Sequence, residues 1–251
     1  MAEIFEKRLP GVRLTVFDET DSTNTQAKLA AAPLRGNDAV FIARRQTGGR
    51  GRLGRSFLSE DGGLYLSYLS YPELSVTDAV RLTAYAAVCL CETLSELTDL
   101  SPKIKWVNDC FVGDKKLAGI LTEGGFSADG KSFDYTVVGI GVNVARVDFG
   151  DELSEIATDI ESECTQLPEL CELAVSLVEK LVKFPKADPV EYMKKYRDLS
   201  LVMGRRVKVV SSAGDYFATV KDIDGSGALT VVLDSGETEK IFSGEVSLRL
   251  N

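Results

Sequence analysis

The sequence predicts an α/β (α+β) fold, an antiparallel or mixed sheet with flanking helices, followed by a small all-β barrel. Two observations predict it: strand-like runs alternate with amphipathic helical stretches, and beyond Gly204 the chain changes to short strands between glycine turns. The 251 residues, 44% apolar and 27% charged, can bury such a core without disulfides or metals.

The first elements follow from capping residues and alternation. Asp21 and Ser22 provide an N-cap, and Ser75 with Asp78 three residues later is typical of a capping box. The aromatic run GLYLSYLSY alternates as a strand does. The predicted elements are, in chain order, a helix at 23–31, strands at 39–43 and 63–71, and a long helix from Ser75.

The later elements fall into two groups with a boundary near residue 200, dividing the chain into domains at 1–200 and 201–251. In the first group, turns at Gly113-Asp114 and Asp129-Gly130 join three strands, and two helices follow. The predicted strands are 103–107, 117–123 and 135–144, and the helices 168–184 and 189–199. In the second group the predicted strands are 205–210, 216–222, 228–233 and 240–242.

The chain contains no histidine, which excludes Ser-His-Asp hydrolysis, Cys-His proteolysis and histidine-ligated zinc. Any chemistry must rely on Arg, Lys, carboxylates, hydroxyls and backbone donors. The five cysteines form no CxxC pair, which is typical of free thiols in a reducing compartment.

Charge and hydropathy predict a cytoplasmic protein. Residues 1–11 do not resemble a secretory signal, and the longest apolar run, Ala84–Cys91, is too short to cross a bilayer. The net charge of -9 disfavours nonspecific binding to nucleic acid, so we expect no DNA and no membrane partner. Monomer and homodimer both stay open.

The segment 44–55, RRQTGGRGRLGR, concentrates five arginines and no acid. Gly49, Gly51 and Gly54 match GxGxxG, but a strand-like run follows where a dinucleotide site requires a helix. Nor does the chain have the GK[ST] of a P-loop. Flexible glycines between alternating arginines can instead let guanidiniums converge on a polyanion, and mutual repulsion should leave the loop poorly ordered until an anion binds. A solvated basic loop is the alternative.

Two further clusters carry polar groups at strand ends. Lys103–Glu123 places Lys105, Asn108 and Asp109 near Lys115 and Lys116, a set suited to Mg²⁺, a nucleotide and a phosphoryl group, or simply to surface charge. Residues 139–143, GIGVN, end an apolar strand with two glycines, which mark a bulge or the close approach of a ligand or backbone.

Five motifs in order resemble the biotin protein ligase family, the biotin–[acetyl-CoA-carboxylase] ligases. They are DSTN at 21–24, RQTGGRGRLGRSF at 45–57, KWVND at 105–109, KKLAGILTE at 115–123 and GIGVNV at 139–144. The resemblance runs from residue 15 to the C-terminal barrel. Each motif alone is weak evidence for the family, whereas five motifs in this order are specific evidence for it. The residues before Ser22 do not match the family's DNA-binding winged helix. The resemblance is therefore to the short form of the ligase, which lacks that N-terminal DNA-binding domain.

The resemblance implies a mixed, mainly antiparallel catalytic sheet with an SH3-like C-terminal barrel. It also implies an enzyme that uses ATP and Mg²⁺ to convert biotin to biotinyl-5′-AMP. A lysine of the biotin carboxyl carrier protein then attacks this mixed anhydride and releases AMP. Such chemistry requires charge neutralisation more than proton transfer, so the absence of histidine does not oppose it.

The resemblance further implies roles for individual residues. Arg52 and Lys116 are the expected catalytic cations, Asp109 the magnesium ligand, and the remaining residues hold the two substrates. The expected biotin-binding residues are Ser22, Thr23, Asn24, Gln46, Gly49, Arg50, Gly51, Arg52, Lys116 and Gly119. The expected ATP-binding residues are Arg52, Arg55, Phe57, Asn108 and Asn143. Two positions depart from the usual pattern: Val107 stands where the family usually has Pro, and Phe57 where some members have Trp.

Two alternatives remain open at this point. A lipoate or octanoate ligase or transferase would share the fold and a pocket lysine, although the GRGRLGR string argues against it. A noncatalytic module that binds nucleic acid through the basic loop would show affinity that falls steeply with salt and ignores biotin.

Overall fold

The computed structural model describes residues 1–75, 78–145, 147–210, 214–242 and 245–248. Seven strands form the larger sheet in the spatial order β1-β2-β3-β7-β6-β5-β4. Their bounds are Arg13–Thr20 (β1), Ala39–Gln46 (β2), Gly63–Ser70 (β3), Lys103–Lys105 (β4), Asp109–Val112 (β5), Lys115–Phe126 (β6) and Phe133–Asn143 (β7). Only β1 and β2 run parallel; every other pair is antiparallel, which confirms the predicted mixed, mainly antiparallel sheet.

In the described residues, seven α-helices accompany this sheet. They are Ala2–Arg8 (α1), Thr23–Ala30 (α2), Ala79–Leu97 (α3), Gly150–Ser154 (α4), Ile160–Glu163 (α5), Leu170–Leu181 (α6) and Pro189–Asp198 (α7). The long helix α3 packs on α6 and α7 and contributes buried residues to the main core. Helix α7 begins as its sequence predicts, because Pro189 occupies the first turn and the Asp188 side chain accepts a hydrogen bond from the Val190 amide.

A second sheet of five antiparallel strands follows in the order β11-β10-β9-β8-β12. Its strands are Arg206–Val210 (β8), Tyr216–Ile223 (β9), Leu229–Leu233 (β10), Thr238–Ile241 (β11) and Glu245–Leu248 (β12). The predicted all-β C-terminal unit is therefore present. Within the described residues its edge strands β11 and β12 do not pair with each other, so no barrel closes there.

Several elements differ from the sequence prediction. The long helix begins at Ala79 rather than at Ser75, and the Ser75 hydroxyl instead donates to the Asp78 carboxylate at 2.6 Å. Helix α1 and the strands β1, β5 and β12 were not predicted. Strand β1 is an edge strand with mostly exposed side chains, so the alternation that predicts a half-buried strand is absent from it.

One apolar core runs through both sheets. It joins residues of α3 and β7 to residues of β8, β9 and β10, so the C-terminal sheet rests on the larger unit rather than standing apart. No helix in the described part of the chain is long and apolar enough to cross a membrane.

Candidate active site

A cavity of about 130 Å³ opens between the arginine-glycine loop and the face formed by β6 and β7. It draws residues from the start of α2, the end of β2, the loop, β5, β6, β7 and the C-terminal sheet. Thirteen of the fifteen residues that the sequence singles out line it together. They are Ser22, Thr23, Asn24, Gln46, Arg50, Gly51, Arg52, Arg55, Phe57, Asn108, Asp109, Lys116 and Gly119.

The cavity is cationic in a chain whose net charge is -9. Five basic side chains and one carboxylate line it: Arg50, Arg52, Arg55, Lys105 and Lys116, with Asp109. Basic side chains that gather at one concave surface repel each other unless negative charge is also present. The arrangement is therefore suited to a ligand that carries several negative charges.

The loop folds back on itself as a short hairpin. Arg50 pairs with Ser56 across it, the Gly51 amide donates to the Arg55 carbonyl at 2.7 Å, and the Phe57 amide donates to the Gly49 carbonyl at 2.9 Å. A 3₁₀ turn at Arg52–Gly54 forms the tip, where Leu53 has a φ of 56°. From this exposed tip, Arg52 reaches the cavity.

A chain of hydrogen bonds orders the polar end of the cavity. The Thr23 amide donates to Gln46 Oε1 at 2.8 Å, and Gln46 Nε2 in turn donates to Ser59 Oγ at 2.9 Å. Ser67, which is fully buried, has its hydroxyl within 2.8 Å of Thr23 Oγ1 and 2.6 Å of Asn24 Oδ1. These contacts fix the side chains of Thr23 and Gln46 before any ligand arrives.

Asn24 lines the cavity, but its side-chain amide is already hydrogen bonded within the protein. Its Nδ2 donates to the Leu121 carbonyl at 3.2 Å and to Glu123 Oε2 at 2.8 Å, while Oδ1 faces Ser67. Burial alone would raise the pKa of Glu123, but hydrogen bonds from Lys28 and Asn24 outweigh it and hold that pKa below its ordinary value. Glu123 therefore stays ionised and holds Asn24 in place.

Glycines form the floor of the cavity on adjacent strands. Gly119 of β6 and Gly141 of β7 are cross-strand partners, and the Phe57 ring lies over both. A methyl group on Gly141 would lie 2.6 Å from Phe57 Cε1. The Lys116 ammonium lies 5.9 Å from the centre of the same ring. The glycines of the GIGVN motif thus permit close approach of side chains from other segments, one of the two roles that the sequence left open.

We expect Gly139→Ala to lower the free energy of unfolding by about 1–3 kcal/mol. A methyl group there would overlap Asn24 Oδ1 and lie 2.7 Å from Asn24 Cγ, and the hydrogen bonds of Asn24 prevent its retreat. Urea denaturation measures the effect, with Gly225→Ala as control because a methyl group at Gly225 meets no atom within 4 Å. Equal stability of the two variants would contradict this packing.

The ends of β4, β5 and β6 bring the second polar cluster to the cavity wall. Lys116 Nζ donates to Asp109 Oδ1 at 2.7 Å, and Arg52 donates to Asn108 Oδ1 at 3.2 Å. Asn108 Nδ2 also donates to the Ile120 carbonyl at 2.7 Å. Asp109 begins the strand β5, where the sequence predicts a turn. Its register opposite Lys105 and Gly119 aims the carboxylate at the cavity.

Two expected site residues lie outside the lining. Gly49 is behind the loop, where a methyl group would overlap the Phe57 carbonyl and Ser59 Oγ, so it allows the loop to close. Asn143 is buried, and its Nδ2 donates to the Thr158 carbonyl at 3.0 Å, which fixes the end of β7 rather than facing the cavity.

Other lining residues were not singled out from the sequence as binding residues. They include Leu53, Ser56, Tyr65, Lys105, Trp106, Ile120, Leu121 and Val246. Strand alternation could have found Tyr65, whose hydroxyl donates to the Glu60 carbonyl at 2.7 Å and whose pKa is raised by burial. Val246 could not be found, since it comes from β12, more than 100 residues beyond the other lining segments.

Comparisons with known proteins agree with this arrangement. Residues 16–143 match the Biotin/lipoate A/B protein ligase family, and residues 202–249 match the Biotin protein ligase C terminal domain. The Escherichia coli bifunctional ligase/repressor BirA is 30% identical over 96% of this chain and 76% of its own length. The Mycobacterium tuberculosis biotin--[acetyl-CoA-carboxylase] ligase is 30% identical over 93% of this chain and 88% of its own.

The solved structure of the Aquifex aeolicus biotin protein ligase in complex with biotin and ATP is similar throughout. It superposes with a TM-score of 0.78 at 30% identity, and covers 94% of this chain and 98% of its own. The match includes the C-terminal unit, which is SH3-like. By sequence and by fold, this chain belongs to the biotin/lipoate A/B protein ligase family.

Proposed function

We propose that this chain is a biotin protein ligase. It activates biotin with ATP to biotinyl-5′-AMP, and it transfers the biotinyl group to a lysine of the biotin carboxyl carrier protein of a carboxylase. The observation that carries the proposal is the cavity itself, in which five cations face one carboxylate beside a pre-ordered polar end. The family relatives named for this activity and the Aquifex ligase with biotin and ATP support it.

The polar end of the cavity takes the ureido ring of biotin. Ser22, Thr23 and Gln46 supply hydroxyl and amide groups there, and Arg50 and Gly51 border it on the loop side. Asn24 acts from behind by holding the network in place, since its amide is already bonded to Leu121 and Glu123. Gly119 lets Lys116 and Phe57 pack closely over the floor, beside the ligand.

The cationic end takes the nucleotide. Arg55 reaches the triphosphate, and Phe57 provides a ring that can stack on adenine. Asn108 orients Arg52, since its Oδ1 accepts the guanidinium hydrogen bond. Asn143, bonded to the Thr158 carbonyl, supports the end of β7 instead of contacting ATP directly.

The first step joins the two substrates. A carboxylate oxygen of biotin attacks the α-phosphorus, a new oxygen–phosphorus bond forms, and the bond to the β-phosphate oxygen breaks to release pyrophosphate. Arg52 and Lys116 neutralise the approaching carboxylate and the charge that develops on the phosphoryl oxygens. In the second step a carrier lysine attacks the acyl carbon, the bond to phosphate breaks, AMP leaves, and the amine loses a proton.

Asp109 suits a magnesium ion bound mainly by the nucleotide. The described residues contain no cluster of three or more acidic, cysteine or histidine side chains that could hold a metal alone. Mg²⁺ commonly uses one or two carboxylates together with substrate phosphates, and Asp109 offers one such carboxylate at the cavity wall. Bound there, the ion would offset triphosphate charge.

We also propose that the catalytic unit spans 1–200 and the C-terminal unit 201–251, since α7 ends at Asp198 and β8 begins at Arg206. Cytoplasmic action is consistent with the free thiols, because Cys89, Cys91 and Cys110 are buried without disulfides.

Incubation with biotin, MgATP and a carrier domain tests the function. We expect pyrophosphate release and a mass increase of one biotinyl group on a single carrier lysine. Lipoate in place of biotin should give neither product and should bind weakly in a titration. An unlabelled carrier, or labelling by lipoate at the same rate, would contradict the proposal.

Hydrogen exchange tests whether the loop clamps the ligand. We expect the amides of residues 48–55 to exchange quickly in free protein and more slowly once biotin or the adenylate binds, because anion binding removes the repulsion between the arginines. Amides of the buried strand β3 provide the internal reference. The same exchange rates with and without ligand would show that the loop does not close.

A further inference from the structure

The wall segment Lys105–Asp109 joins β4 to β5, and two buried side chains, Trp106 and Tyr196, tie it to other elements. The Trp106 indole Nε1 donates to the Gly227 carbonyl of the C-terminal sheet at 2.9 Å. The Tyr196 hydroxyl of α7 donates to the Val107 carbonyl at 2.8 Å. Trp106 is 3% exposed and Tyr196 fully buried, so neither bond is shared with bulk water.

The C-terminal turn that receives Trp106 is itself seated firmly on the larger unit. Arg197 Nε donates to the Ile223 carbonyl at 2.9 Å, and Arg81 Nε donates to the Gly225 carbonyl at 3.1 Å. A methyl group on Gly227 would lie 2.6 Å from Val80 Cγ1, so this turn lies directly against α3. Residues 223–228, the seating turn, therefore have a defined position relative to the cavity wall.

Asn108 and Asp109 follow the stretch that Trp106 and Tyr196 hold, and β6 holds them from the other side. Val107 precedes them, and as a residue without a ring it does not fix its own φ. Ile104 is bonded at both ends to the stretch after α7, since its amide donates to the Leu199 carbonyl at 2.9 Å and its carbonyl accepts from the Leu201 amide at 2.7 Å. Together with Trp106 and Tyr196, these bonds define where Asn108 meets Arg52 and where Asp109 meets Lys116.

We propose that Trp106 and Tyr196 are positioning residues for the nucleotide end of the site, and that Trp106 carries the seating of the C-terminal sheet to Asn108 and Asp109. The inference rests on the proposed ligase function. It assigns the C-terminal unit a direct role in adenylation, to which Val246 of β12 adds a second contact by lining the same cavity.

Two conservative variants test the proposal. Trp106→Phe removes the indole N–H, and Tyr196→Phe removes the hydroxyl while leaving the ring in place. We expect each to raise the KM for ATP about tenfold in a pyrophosphate-release assay, the factor that corresponds to one lost buried hydrogen bond. Biotin affinity, measured by titration without ATP, should change less than about twofold, because the ureido end rests on Gln46 and Ser67 instead.

Tyr85→Phe is the matched control. Its hydroxyl also donates to a backbone carbonyl, that of Lys180 at 2.8 Å, but on a different part of the helical layer. Loss of the Tyr85 hydroxyl should lower the midpoint of thermal unfolding as much as Tyr196→Phe does, without changing the KM for ATP. This separates positioning from general stability.

An unchanged KM for ATP in Tyr196→Phe, or a parallel loss of ATP and biotin binding, would overturn the proposal. If Trp106→Phe does not fold, Tyr196→Phe still tests the support of the wall, since it removes only a hydroxyl. Arg81→Ala, which removes the hydrogen bond to the Gly225 carbonyl, then tests the seating turn, and an unchanged KM for ATP in it would overturn the role of the C-terminal sheet. The wild-type chain, run in the same assay, distinguishes failure of the ligase function from failure of the positioning role. An inactive wild type would count against the ligase function. An active wild type whose variants keep its KM for ATP would count only against the positioning role.

Discussion

Lys116→Ala is expected to lower the rate of biotinyl-5′-AMP formation by about 100-fold or more, because it removes a cation from the point where charge develops. Lys116 lines the cavity and lies 2.7 Å from Asp109, so the change also leaves that carboxylate facing the triphosphate without its ion pair. Single-turnover measurement of pyrophosphate release gives the rate of the chemical step directly.

Lys115→Ala is the matched control. Lys115 precedes Lys116 on β6, but its Nζ donates to the Ser154 carbonyl at 2.8 Å, away from the cavity. It should keep the wild-type rate. Wild-type turnover in Lys116→Ala would remove the residue from the mechanism.

Arg52→Ala is expected to speed release of the adenylate about 10- to 100-fold, the effect of one or two lost hydrogen bonds to a charged group. Arg52 bridges the loop and the wall through its hydrogen bond to Asn108, and we propose that it contacts both the carboxylate and the α-phosphate. The dissociation rate of labelled biotinyl-5′-AMP, chased with unlabelled adenylate, measures the effect.

Arg44→Ala is the control for Arg52. Arg44 belongs to the same basic segment, but its side chain is exposed and lies 3.6 Å from Asp61 on the surface. If the two variants release the adenylate at the same rate, the loop contributes only general charge and Arg52 has no specific bridging role.

The parts of the fold that the sequence predicted are those with strong local signals. The long apolar stripe of α3, the aromatic alternation of β3 and the capped start of α7 depend on neighbouring residues, and each was found close to its observed position. Strand β1 was missed because its side chains are mostly exposed, and only its parallel pairing with β2 makes it a strand. Local pattern contains no information about that pairing.

The candidate site divides in the same way. Arginine-glycine composition and motif order predicted which side chains gather, and most of them line one cavity. They did not predict which polar side-chain atoms remain available to bind a ligand. Asn24 and Asn143 have amides well suited to a ligand, yet both are bonded to the protein interior, because buried polar groups must be satisfied wherever the fold places them.

By itself, the sequence determined the family, the chemistry that histidine-free residues can perform and the cationic character of the loop, because these depend on residue identity and order. The tertiary structure decided that Asp109 meets Lys116 and that glycines of two strands make one floor. It also decided that Trp106 bonds the wall to the C-terminal sheet, and that Val246 of that sheet joins the cavity lining. The physical reason is distance along the chain: contacts between remote segments depend on register and packing, which local preferences do not specify.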